Sequence, residues 1–70
     1  MIKETVSSSM INCIGYNQED ALLEVEFSNG TVYQYKDVPL DIFSNLMSAN
    51  SIGKYLNENI KDVYSFEKIK

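Results

Sequence analysis

Ser51-Ile52-Gly53-Lys54 has the residue types of an anion-binding helix start. The first N–H groups of a helix lack internal partners, and the macrodipole places roughly half a positive charge there. Ser51 would cap the helix, Gly53 would let a ligand approach the backbone closely, and Lys54 would add a point charge. Asn57 follows nearly two turns later, on the Ser51 side, where its amide suits a base edge or a ribose. A P-loop is excluded, because the G-x-x-x-x-G-K-S/T spacing is absent. The same residues also describe a plain capped helix with a solvated lysine and a solvated asparagine.

Two further groups suit a phosphate-bearing ligand. Tyr33 and Tyr35 lie two residues apart, on one face of any strand that contains them. Exposed, they would stack bases, each stack being worth about 1–3 kcal/mol. Buried, they would belong to the core or to a subunit interface. Ser8 and Ser9, in the Ser7–Ser9 run before Met10, would supply hydroxyl donors, or form part of a flexible polar leader over residues 1–8. Catalysis finds little support. The chain has no histidine and therefore no imidazole base. Cys13 sits in an apolar stretch without a cationic neighbour in sequence and reads as inert core. Glu19-Asp20 reads as a turn, and Glu24 and Glu26 as the solvent face of a strand. A non-enzyme without cofactor or metal is expected.

The elements that must position these residues follow from periodicity. Residues 10–16 are rich in β-compatible side chains and end at the polar cluster 17–20. Residues 21–27 alternate, with Leu23, Val25 and Phe27 on one face and Leu22, Glu24 and Glu26 on the other. Asn29-Gly30 is a strong hairpin signal, because both residues tolerate positive φ. Residues 31–36 then run back. A two-residue turn there would set Phe27 near Val32 or Tyr33, and the register decides which face the tyrosines take. Val38-Pro39 ends the sheet. Ile42, Phe43, Leu46 and Met47 follow at helical spacing, then Ile52, Tyr55, Leu56 and Ile60 on a second helix. The tail from Val63 alternates weakly and reads as a strand or a wrap over the core. The expected fold is α+β: a small antiparallel meander of three to four strands, with two short helices packed on one side.

Composition limits what such a domain can do. The chain has 70 residues, enough for one domain and one small core. Cores of this size often need a staple or a partner. With Cys13 the only cysteine, an internal disulfide is impossible, so a homo-oligomer (dimer or tetramer) is expected. No stretch reaches the roughly 18–20 apolar residues of a membrane span, and residues 1–10 have no apolar signal-peptide core. A cytoplasmic location is expected, that of the host if the chain is phage-encoded. The net charge of −4, with six lysines and no arginine, disfavours long nucleic acid. The imbalance is concentrated in residues 1–36, which hold two lysines against five acids; residues 37–70 hold four against five. A local positive site in the second half is compatible with that balance.

The order S-S-M-I (8–11), G-Y (15–16), L-x-V-x-F-x-N-G (23–30), Y-Q-Y (33–35), V-P (38–39), S-x-G-K-Y-L-N (51–57) and I-K-x-x-Y (60–64) resembles the KTSC domain. That domain is named for its place at the C-terminus of some lysyl-tRNA synthetases and also occurs as a free-standing small protein. The resemblance covers roughly residues 7–69. Met10 and Tyr55 lie within its motifs and join the candidate ligand-binding set. The synthetase attachment implies RNA binding. In size the chain is also similar to phage proteins that soak up cyclic nucleotide immune signals, as anti-CBASS sponges do. The leading expectation is a binding module for a phosphate-containing ligand, a cyclic nucleotide or dinucleotide held in a sponge. The rivals are an RNA-binding domain and a protein–protein interaction module.

Overall fold

The computed structural model describes residues 3–5 as a strand and residues 9–70 in full. Five strands form one antiparallel sheet in the order β1-β2-β3-β4-β5. They are β1 (Lys3–Thr5), β2 (Ile11–Asn17), β3 (Leu22–Phe27), β4 (Val32–Tyr35) and β5 (Phe66–Lys68), with α1 (Leu40–Ser48) and α2 (Ile52–Asn59) between β4 and β5. The α+β meander with two helices is as the patterning implies, with a short strand added at each edge. The undecided tail supplies β5, and Lys3–Thr5, read as leader, supply β1.

The β2–β3 turn is built by Asn17, whose Oδ1 accepts from the backbone N–H of Glu19 at 3.0 Å and of Asp20 at 3.2 Å. The β3–β4 turn differs from the expected two-residue loop. Phe27 N donates to Thr31 O at 2.8 Å and Gly30 N to Phe27 O at 2.9 Å. Within this loop Gly30 has positive φ, at 90°, and Asn29 does not. This is a three-residue loop with glycine at its left-handed position. Phe27 therefore lies opposite Thr31, so Val25 pairs with Tyr33 and Leu23 with Tyr35. Both tyrosines take the Leu23–Val25 face, which is the core face.

β2 carries a bulge between Ile11 and Cys13. In a regular strand Ile11 and Ile14 would point to opposite faces; the extra residue lets both reach the core, at 0% and 1% exposure. Cys13 is thereby sent to the other face, beside Glu26, and is half-buried and free. It is not part of the core, contrary to the expectation from its apolar strand.

The helices cover the same face. Leu46 from α1, with Leu56 and Ile60 from α2 and its end, closes over Ile14, Leu23, Val25 and Tyr35. Tyr16 ties the β4–α1 link to the sheet. Its hydroxyl donates to Val38 O at 2.6 Å, and its ring stacks on Phe43 at 4.6 Å. Pro39 is the N-cap of α1 and contributes no side-chain bond. Ser51 caps α2, its Oγ accepting from Lys54 N at 3.3 Å.

Candidate functional site

Helix α2 divides the candidate residues by its own geometry. Positions four apart form a ridge along a helix. Gly53, Asn57 and Lys61 are one such ridge, Lys61 lying just past the helix with its N–H donating to Leu56 O at 2.8 Å. Lys54 and Glu58 lie on the next ridge, and their side chains meet at 3.8 Å. The first ridge faces the β3–β4 hairpin; the second faces solvent.

Between the first ridge and the hairpin is a cleft of about 340 Å³. Met10, Phe27, Tyr33 and Tyr35 form its apolar part. Ser28, Asn29 and Thr31 from the hairpin tip, with Asn57 and Lys61 from the helix side, form its polar part. Tyr35 is 1% exposed and belongs to the core as well as to the cleft. The aromatic rings hold one another in place. Tyr33 stacks on Phe66 at 5.3 Å and meets Phe27 edge-on at 5.5 Å; Phe66 also contacts Tyr35 at 5.7 Å. Burial raises the Tyr35 hydroxyl pKa above its ordinary value, with Tyr33 and Asp62 adding to it.

The candidate residues therefore fall into separate places. Met10, Tyr33, Tyr35 and Asn57 share the cleft. Ser51, Lys54 and Tyr55 line a separate shallow depression of about 310 Å³ that also contains Glu58. Gly53 is buried, and a Cβ there would lie 3.2 Å from the Met10 sulfur. The close approach that Gly53 permits is thus to Met10. Ser9 is exposed beside Met10 and lines neither cavity. Ser8 lies outside the described residues.

Sequence reasoning read the hairpin tip as a turn only and did not single out Lys61; neither was a candidate for the site. The signal for Lys61 was present as G-x-x-x-N-x-x-x-K over residues 53–61, a ridge with a glycine at one end and a cation at the other. Electrostatically the two cavities differ. The cleft lining has one lysine and no carboxylate, and Lys61 has no ion-pair partner among the described residues. The depression has a lysine already matched by Glu58. No group of three or more His, Cys, Asp or Glu is placed to hold a metal ion among the described residues. Among the described residues no helix is long and apolar enough to cross a membrane.

Known proteins share this architecture. A KTSC domain protein from Yersinia pestis superposes with a TM-score of 0.93 at 38% identity, over 99% of this chain and 97% of that one. An uncharacterized protein of Stutzerimonas stutzeri is 38% identical over 61 residues, 87% of this chain and 86% of its own. A lysine–tRNA ligase of Nostoc punctiforme is 36% identical over 61 residues, which make up 87% of this chain and 11% of the ligase. The sequence profile of the KTSC domain matches residues 7–64, and the chain belongs to that family.

Proposed function

We propose that this protein is a non-enzymatic binding module for a small phosphate-containing ligand, held in the cleft between the β3–β4 hairpin and α2. One observation carries the reading. In a chain of net charge −4, the cleft brings together an unmatched lysine, hydroxyl and amide groups, and two tyrosines, with no carboxylate in its lining. Ligand sites usually combine an apolar wall with a few convergent polar groups in this way. The cation of the site is Lys61, because Lys61 lines the cleft and Lys54 lies outside it.

A volume of about 340 Å³ is at the lower end for ligand pockets and suits a mononucleotide-sized molecule. A cyclic dinucleotide would extend beyond it and would need a second copy of the chain to enclose the remainder. Sequestration of a cyclic nucleotide signal by a homo-oligomer, as in a sponge, is the sharper form of the proposal. The segments shared with lysine–tRNA ligases favour a second reading, in which the same cleft takes a nucleotide of an RNA strand. The absence of arginine weighs against that reading.

A thermal-shift panel at fixed salt tests both. It would contain cyclic mononucleotides, cyclic dinucleotides, their linear forms and short RNA. Stabilisation by one cyclic class and not by its linear form supports sequestration; stabilisation by RNA that falls steeply with salt supports the second reading. A flat panel removes both.

A further inference from the structure

The hairpin tip holds a side chain whose orientation is fixed by its neighbours. Asn29 Oδ1 accepts from the backbone N–H of Thr31 at 3.1 Å and from Thr31 Oγ1 at 2.7 Å. A backbone N–H can only donate, so the atom it meets must be the amide oxygen. The Asn29 Nδ2 is then the remaining end of the amide, and neither of its hydrogens is used in a hydrogen bond among the described residues. Asn29 lines the cleft with Lys61. An amide held by two bonds loses little freedom when it donates a third, which is the condition for a pre-organised ligand contact.

We infer that Asn29, besides forming the turn, donates through Nδ2 to an oxyanion in the cleft, and that Thr31 is the residue that positions it. This rests on the cleft being the ligand site. The ligand chemistry is then a phosphate-type oxyanion held between two donors from different elements. Asn29 comes from the hairpin and is oriented by Thr31; Lys61 comes from the end of α2. Both are donors with no acceptor among their partners to compete, so the pair selects for an anion over a neutral ring. The tyrosine wall is left for the apolar part of the ligand. The turn residue before Gly30 is thus a specificity residue as well as a folding one.

The experiment uses ¹⁵N-labelled full-length protein, titrated with inorganic phosphate and with cyclic AMP as probes, alongside Asn29→Asp and Lys61→Ala. Asp-Gly forms this class of turn as well as Asn-Gly, and an aspartate oxygen can still accept from Thr31. Asn29→Asp should therefore melt within about 4 °C of the wild type, less than a 1 kcal/mol change would cause. The expected result is a phosphate-dependent shift of the Asn29 side-chain NH₂ resonances, with affinity at least tenfold lower in both variants. Loss of affinity in Lys61→Ala, with no shift of the Asn29 NH₂ signals in the wild type, overturns the role of Asn29 and leaves the cleft intact. No shift of any cleft resonance with either probe overturns the inference and the cleft reading together. The wild-type amide signals decide the matter even if Asn29→Asp does not fold.

Discussion

Gly53 packs against Met10, a residue of the cleft lining: a Cβ at Gly53 would lie 3.2 Å from the Met10 sulfur. The neighbour is a thioether on a flexible side chain that is 43% exposed, so it can give way. Gly53→Ala would also gain part of the roughly 1 kcal/mol by which alanine exceeds glycine in a helix. The two effects oppose, and the melting temperature should change by less than the 4–8 °C that about 1 kcal/mol moves a small domain. Met10 lines the cleft, so its displacement should weaken the ligand found in the panel more than it alters stability. Melting and ligand affinity, measured on the same variant, separate the two. A loss of more than about 2 kcal/mol would show that Met10 is held too firmly to move, in the range of overpacked cores.

Gly30 answers to a different constraint. Nothing lies within 4 Å of a Cβ there, but its φ is +90°. Gly30→Ala therefore meets no clash and acts through the backbone alone. The left-handed conformation costs an L-residue about 1–2 kcal/mol. Chemical denaturation should show a stability loss of that size with unchanged m-value. An unchanged or raised stability would contradict the three-residue hairpin.

Much of this was legible in the chain. Asn29-Gly30 located the hairpin, and the 3.6-residue spacing of Ile42, Phe43, Leu46 and Met47 located α1. The register was not legible, because Asn-Gly serves both two-residue and three-residue loops, and one residue of difference reverses the face of Tyr33 and Tyr35. The bulge at Asn12 was hidden for a similar reason: Ile11 and Ile14 satisfy no period of two. The strands β1 and β5 have three residues each, too few to show alternation. In the site, Lys54 stood out because a helix start is readable from local spacing. The spacing Gly53, Asn57, Lys61 puts Lys61 on one ridge, but that the hairpin faces this ridge is a contact between distant segments that local spacing does not encode.

Alkaline pH should destabilise the protein through buried Tyr35 and part-buried Tyr16. Burial first, then nearby negative charge, raises the Tyr35 and Tyr16 hydroxyls above their ordinary value of 10.0. A raised folded-state value means that the native state holds protons which the unfolded chain releases. The stabilisation is then fully present below pH 10 and is lost as the pH rises through the folded values. For Tyr16 the proton is also the one donated to Val38 O. Tyr16→Phe should cost about 1 kcal/mol at neutral pH and flatten the decline above pH 10. Melting curves from pH 7 to 11 check this; a wild-type midpoint that rises across that range would contradict it.

The claim that the hairpin–α2 cleft is the ligand site is tested most directly by comparing two lysines. Ligand at 100 times Kd stabilises by about 2.7 kcal/mol, a shift of roughly 10–20 °C in a domain this small. With the ligand identified from the panel, that shift should be largely abolished in Lys61→Ala and retained in Lys54→Ala. A shift that survives in Lys61→Ala and disappears in Lys54→Ala would place the ligand at the start of α2 and contradict the account.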